Sequence, residues 1–182
     1  GVRKLLHCGA AMRNIHFREP TFMEEASPPR LDKVDRRILD LVQREGALSV
    51  AEVASRTGLS TTTCWRRIQA LEQSGVIKGR VALLDRAALG LDVTIFAHVK
   101  LSSQGRDAIA AFAEAIRERP EVLDCYTTMG EWDFMLRVVT RDIKAYEAFY
   151  LDHLSKLPNV QSINSSVTVT VIKETTILPI AL

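Results

Sequence analysis

Residues 49–75 read SVAEVASRTGLSTTTCWRRIQALEQSG, and this stretch sets the architecture of the N-terminal half. Ser49 followed three residues later by Glu52 is the capping box that begins a helix, and Gly58 is the residue type that ends one. Ser60 can cap the next helix, which runs almost to the end of the stretch. Two short helices joined by a tight turn with a glycine are typical of a helix-turn-helix.

Another helix precedes these two. Apolar residues recur there at intervals that place them on one helical face, and a glycine closes the pattern. The residues are Leu31, Val34, Ile38, Leu41 and Val42, followed by Gly46. We therefore predict a helix-turn-helix domain over residues 31–80. Residues 1–30 end in Ala-Ser-Pro-Pro, which disfavours helix and strand alike, and we interpret them as a flexible tail.

The third helix has a polar side opposite the apolar stripe of Cys64, Ile68 and Leu71. Arginine can bind guanine or phosphate, glutamine can pair with adenine, and threonine offers a hydroxyl to phosphate, so this side has the chemistry that reads DNA. The candidate DNA-binding residues are Ser60, Thr62, Thr63, Trp65, Arg66, Arg67 and Gln69. A merely solvated helix face is the alternative for this side, and a place in the core is equally open for Trp65.

The C-terminal half alternates between strand and helix patterns. Apolar periodicity predicts strands over 92–101, 122–129, 132–139 and 160–173, and helices around 108–116 and 143–154. The order strand, helix, strand, strand, helix, strand is the ferredoxin-like βαββαβ succession. We predict an α+β protein: a winged helix-turn-helix domain, a linker over 81–91 and a ferredoxin-like domain over 92–182. Residues 76–84 are expected to form a short hairpin or strand.

Charge divides unevenly along the chain. Residues 30–90 carry 11 lysines and arginines against 7 aspartates and glutamates, a net charge of +4, whereas residues 91–182 carry 9 against 12, a net charge of −3. A basic first half suits a polyanionic partner such as double-stranded DNA. No run approaches the roughly 18 to 20 apolar residues that cross a bilayer, so we expect no membrane partner and a cytoplasmic location.

Patterns for metal binding and catalysis are missing from the sequence. The 3 cysteines are far apart without a C-x-x-C pair, and the 4 histidines fall in no ligand spacing. We expect reduced thiols, no metal and no cofactor. The sequence also lacks a nucleophile elbow, a phosphate-binding loop and a dinucleotide fingerprint, so we do not expect an enzyme.

The turn over 127–133 is the candidate small-molecule site. Gly130 lets the backbone approach a ligand, the turn amides can hold a carboxylate, and Asp133 can hold an ammonium group. A plain hairpin turn explains the same residues, and Glu131 with Asp133 fits a solvated turn better than an acid and base pair. Exposed sheet surface and edges in a four-stranded domain also predict pairing between subunits.

These patterns together resemble one family of prokaryotic transcription factors, the leucine-responsive and asparagine regulators (Lrp/AsnC). The resemblance runs from Leu31 to the end of the chain. It rests on Leu31 to Leu39, Gly58-Leu59-Ser60, Cys64 to Ile68, Leu71-Glu72, Gly75-Val76-Ile77, Gly130 to Asp133 and Lys173 to Pro179. Thr63 departs from the pattern, because relatives often have proline there.

The resemblance implies a sequence-specific regulator in the nucleoid that binds pseudo-palindromic DNA. It implies homodimers formed through the ferredoxin-like domain that stack into assemblies such as octamers. It also implies an amino acid or related metabolite bound where dimers meet, which changes assembly or DNA affinity. The implied effector-binding residues are Thr128, Met129, Gly130, Glu131, Trp132 and Asp133.

Two other functions stay open at this point. A nucleoid-architectural protein would bind DNA with little sequence preference. An enzyme, or the allosteric subunit of one, would use the ferredoxin-like domain for small molecules and would keep its activity without residues 31–80.

Overall fold

The computed structural model describes residues 29–103 and 105–181, so nearly all of the predicted tail over 1–30 lies outside the described residues. Within the described ranges the chain forms two compact units. One contains the residues up to Leu83 together with those from Lys173 onward, and the other is Leu84–Ile172. The sequence placed residues 92–182 in a single domain, whereas the structure groups the C-terminal residues with the N-terminal helices. We describe the helical unit and the sheet unit separately.

Three helices form the helical unit: α1 (Lys33–Arg44), α2 (Val50–Thr57) and α3 (Thr61–Gln73). The predicted capping box of α2 is confirmed, because the Ser49 N–H donates to Glu52 Oε2 at 2.7 Å and the Glu52 N–H donates to Ser49 Oγ at 3.3 Å. Gly58 ends α2 with φ of 71°, a left-handed conformation that favours glycine. These caps fix the short turn between α2 and α3.

One apolar cluster holds the three helices together. Each helix contributes the face that the sequence periodicity indicated, and each large aliphatic side chain stabilises the fold by roughly 1.5–3 kcal/mol when buried. The buried residues are Ile38, Leu39, Val42, Val53, Ala54, Cys64, Ile68, Leu71 and Ile77. The side of α3 opposite its buried residues therefore has to face solvent.

The segment after α3 differs from its prediction. Ile77 is buried and its N–H donates to the Leu71 carbonyl at 3.0 Å, so the chain turns back against α3. In the described chain no strand is formed over 76–84, and Val81, Leu83 and Leu84 are exposed. A strand needs a neighbour for its backbone N–H and C=O groups, and none of the described strands pairs with this segment. The expected short hairpin or strand was wrong for this reason.

The sheet unit has the predicted βαββαβ order. Its elements are β1 (Val93–Leu101), α4 (Arg106–Arg117), β2 (Val122–Thr127), β3 (Phe134–Thr140), α5 (Ile143–Asp152), a short 3-10 helix (Leu154–Lys156) and β4 (Val160–Val167). All strand pairs are antiparallel, in the order β2-β3-β1-β4. This arrangement confirms the ferredoxin-like prediction.

The helices of the sheet unit cover one face of the sheet. Alternate residues of β1 and β3 point into the core between sheet and helices, where the rings of Phe112 and Phe134 stack at 4.3 Å. The last strand was predicted to reach Lys173 but ends at Val167. Its pairing stops because β1 begins at Val93, and the final bond runs from the Thr168 N–H to the Thr94 carbonyl at 2.9 Å.

Candidate functional site

The exposed side of α3 contains part of the predicted DNA-binding set. Thr62, Trp65 and Arg66 are all exposed, and Trp65 has 54% of its surface accessible, which excludes a core role for it within the helical unit. A hydroxyl, an indole and a guanidinium thus share the N-terminal half of one helix. This half also carries backbone N–H groups that α-helices leave unpaired at their start, and such groups attract phosphate.

Ser60 and Thr63 form the cap of α3. The Thr63 N–H donates to Ser60 Oγ at 3.3 Å, and the Ser60 hydroxyl donates to Thr63 Oγ1 at 2.8 Å. Relatives with proline at position 63 could not donate this backbone bond. Threonine therefore gives the start of α3 a hydroxyl-based cap, and the departure from the family pattern leaves the helix intact.

Arg67 and Gln69 have partners inside the helical unit. The Arg67 guanidinium lies 2.8 Å from Asp32 and 2.7 Å from Asp35, the two carboxylates of the α1 capping box. Gln69 donates to Glu72 at 2.8 Å. Arg67 therefore ties α3 to the start of α1, and the seven predicted residues divide into a cap, an exposed group and a pair that contacts the protein.

The charges of Arg67, Asp32 and Asp35 stabilise one another. The Asp35 N–H, followed by the Arg67 guanidinium, holds the pKa of Asp32 below its usual value. The hydrogen bonds to Asp32 and Asp35 in turn raise the pKa of Arg67. Sequence reasoning missed this role for Arg67, although two aspartates spaced three apart before an apolar run signalled the cap to which it binds.

The turn between β2 and β3 has an open tip and a fixed base. Gly130 has φ of 125°, which excludes most other residues, and the neighbouring Met129 is fully exposed. At the base, the Thr128 N–H donates to the Asp133 carbonyl at 2.9 Å and its hydroxyl donates to the Trp132 carbonyl at 2.6 Å. Glu131 is exposed at the tip. The structure thus brings all six predicted effector-binding residues into one turn.

Asp133 anchors this turn to β1. Its carboxylate accepts a hydrogen bond from the Leu101 N–H at 2.8 Å and lies 3.6 Å from the Lys100 ammonium group. Its own N–H donates to the Val99 carbonyl at 3.0 Å. Only 14% of the Asp133 side chain is exposed. The carboxylate is therefore held in place by β1 at the edge of the candidate ligand site.

Two β1 side chains that the sequence did not single out lie beside this turn. The His98 and Trp132 rings are 6.1 Å apart, and Lys100 is the ion-pair partner of Asp133. Both occupy alternate positions of β1 that face away from the helices, so strand periodicity was the available signal. Together they place a cation and an imidazole ring next to the open turn, beside the indole of Trp132.

The remaining predicted absences concern metals, thiols and membranes. Among the described residues, no cluster of histidine, cysteine, aspartate or glutamate is arranged to hold a metal. Cys64 is buried and Cys125 is exposed, both as free thiols, and Cys8 lies outside the described residues. In the described part of the chain no helix is long and apolar enough to span a membrane.

Comparison with known proteins gives a family match for each half of the chain. Residues 31–78 match a winged helix-turn-helix DNA-binding family, and residues 94–178 match the Lrp/AsnC ligand-binding domain. A helix-turn-helix unit followed by a ligand-binding domain defines a DNA-binding transcriptional regulator. The chain belongs to the Lrp/AsnC family of such regulators.

Several characterised relatives match over almost their whole length. The DNA-binding transcriptional activator DecR of Escherichia coli is 38% identical over 150 residues, which cover 82% of this chain and 99% of DecR. The glutamate uptake regulatory protein of Zymomonas mobilis is 35% identical, with 83% and 92% covered. A crystal structure of a Neisseria meningitidis transcriptional regulator in complex with L-Met superposes with a TM-score of 0.78 at 37% identity, with 82% and 97% covered.

Asp32→Asn tests the charge cluster that joins α3 to α1. Asparagine is also a good helix cap, so the substitution removes the charge and keeps an acceptor for the Asp35 N–H. Because the folded pKa of Asp32 is lowered, its charge stabilises the fold above the unfolded value of about 3.8 and loses this effect as the pH falls through the folded pKa. We expect the variant to be less stable than the wild type at pH 7, and we expect the difference to be smaller near pH 2.

Urea unfolding of both proteins at the two pH values measures this difference. A stability difference that is the same at pH 7 and near pH 2 would contradict an electrostatic role for Asp32.

Proposed function

We propose that the protein regulates transcription by placing α3 in the major groove of pseudo-palindromic double-stranded DNA. In this proposal Arg66, Trp65 and Thr62 face base edges and adjacent phosphates, while Ser60 and Thr63 present the capped start of α3 to the backbone. The joint exposure of Arg66, Trp65 and Thr62 on one side of α3 is the observation that carries the proposal. Arg67 and Gln69 instead stabilise α3 through their contacts inside the helical unit.

The β2–β3 turn is proposed to bind an amino acid or a related metabolite. Support comes from the ligand-binding family match and from two relatives, a regulator of glutamate uptake and a regulator solved with L-Met. Residues Thr128–Asp133 offer an exposed glycine backbone and a carboxylate fixed by β1. An α-amino acid carries one ammonium and one carboxylate, so the fixed Asp133 and the turn amides suit its two charged groups.

Assembly into homodimers and then into larger oligomers such as octamers is the third part of the proposal. The helices of the sheet unit cover one sheet face only, and the other face has half-buried apolar residues such as Phe96 and Met135. Val169 and Ile172, beyond the end of β4, are 97% and 90% exposed. Such apolar surface is typical of a subunit interface. An effector that binds where dimers meet would then shift assembly and DNA affinity together.

This proposal involves no catalytic step. The protein would act on the chromosome in the nucleoid, and the ligand would leave the site chemically unchanged.

Arg66→Ala tests the role of α3 directly. If Arg66 contacts a base edge, its loss should weaken binding to the specific site by about 1–3 kcal/mol, or roughly 5- to 150-fold, and should relax the sequence preference at one position. Fluorescence anisotropy at constant salt measures both. Arg141→Ala is the matched control, since it removes the same charge from a 76% exposed side chain in the sheet unit. Equal affinities for the two variants would contradict the proposal.

Asp133→Asn tests the ligand site. We expect the amino-acid concentration that gives half of the response in DNA binding to rise by about tenfold, which corresponds to roughly 1.4 kcal/mol for one charge-assisted contact. Titration of effector against the protein–DNA complex gives this value. Glu118→Gln, which neutralises an exposed carboxylate at the end of α4, should respond like the wild type. An unchanged response in Asp133→Asn would place the ligand elsewhere.

A further inference from the structure

The C-terminal segment Thr176–Ala181 lies against α1 of the helical unit. The chain belongs to this unit from Lys173 onward, although more than 80 residues of the sheet unit, Leu84–Ile172, separate it from the helices in sequence. The chain therefore passes between the two units twice, once after Leu83 and once after Ile172. We call Thr176–Ala181 the C-terminal strap.

Gln43 of α1 holds the middle of the strap by its backbone. The Leu178 N–H donates to Gln43 Oε1 at 2.9 Å, and Gln43 Nε2 donates to the Leu178 carbonyl at 3.1 Å. The second hydrogen of the Gln43 amide is directed to Asp40 Oδ1 at 3.2 Å. Gln43 thus pairs with both backbone groups of Leu178 while Asp40 fixes its orientation. A carboxamide can do this, whereas a carboxylate has no N–H to donate.

Two more contacts hold the end of the strap. The Arg36 guanidinium donates to the Ala181 carbonyl at 3.1 Å, and Ile180 packs against the apolar cluster of the three helices. Arg36 and Gln43 are seven residues apart, about two helical turns, and so lie on the same face of α1. Polar contacts to α1 and an apolar contact to the core therefore act on one short segment.

We propose that the C-terminal strap is a structural part of the helical unit, and that the stability of α1 and the DNA affinity of α3 depend on it. The strap covers the core next to Ile180, α1 supports α3 through Arg67, and the strap follows closely on Ile172. A change in the sheet unit that withdraws the strap would loosen the helices. The effect on DNA affinity rests on the proposed function, whereas the effect on α1 does not.

The experiment uses the full chain in the absence of DNA and compares three variants. These are Gln43→Glu, a chain that ends at Thr175, and the combination of the two changes. Hydrogen exchange of α1 amides should become roughly tenfold faster in each single variant, which corresponds to about 1.4 kcal/mol of weakened contact between the strap and α1. Exchange in β1 and β3 should not change. Gln43→Glu should change exchange less in the shortened chain than in the full chain, because the carboxylate at position 43 then has no strap to repel and only its repulsion by Asp40 remains.

Gln73→Glu is the matched control, since it makes the same substitution at an exposed position of α3. It should leave exchange in α1 unchanged. Unchanged exchange of α1 in the shortened chain would overturn the proposal, and so would additive effects in the combined variant. If the shortened chain fails to fold, comparison of Gln43→Ala with Gln73→Ala decides, because alanine removes the contacts to the strap without adding a charge beside Asp40.

DNA affinity of the same variants is then measured by anisotropy. A parallel loss of affinity would extend the strap's effect to α3. Fast exchange in α1 with wild-type affinity would overturn the link to DNA binding while leaving the proposed function intact.

Discussion

Burial of one face of α3 is the constraint on which the proposed DNA-binding surface depends. Cys64, Ile68 and Leu71 are fixed in the core of the helical unit, so the residues opposite them have no choice but to face solvent. Arg67 helps to fix the orientation of α3, because its ion pairs with Asp32 and Asp35 couple α3 to the start of α1. The position of Arg66 on the exposed side is therefore set by the apolar packing of α3 and by the ion pairs of its neighbour Arg67.

In the sheet unit, too, one charged residue anchors the proposed site and its neighbours stay exposed. Asp133 is held by the Leu101 N–H and by Lys100, and this fixes one end of a turn whose other residues remain open. Antiparallel pairing of β2 and β3 brings Thr128 and Asp133 together, so the turn is positioned by sheet register. The sequence suggested Arg67 and Asp133 as ligand contacts. In the structure each also makes contacts within its own unit that hold the candidate site in place.

Elements with strong local signals could be predicted from the sequence. The capping box of Ser49 and Glu52 and the apolar periods of α1 and β1 depend on near neighbours, and the structure confirms them. The length of β4 was not accessible in this way, since it is decided by where β1 begins. Nor was the role of Arg67, whose partners lie more than 30 positions away. The contact of the strap with α1 could not be predicted either, because Gln43 and Leu178 are 135 positions apart.

Sequence-specific DNA binding that responds to an amino acid is tested most directly by a mobility-shift titration at fixed salt. The titration uses the gene's own upstream DNA and random DNA, in the presence and absence of each of the twenty amino acids. We expect a preference for the upstream DNA on the order of 10³-fold or more, altered by one or a few amino acids. Equal affinity for upstream and random DNA at the same salt concentration would contradict it, and would favour a protein that shapes the chromosome without reading its sequence.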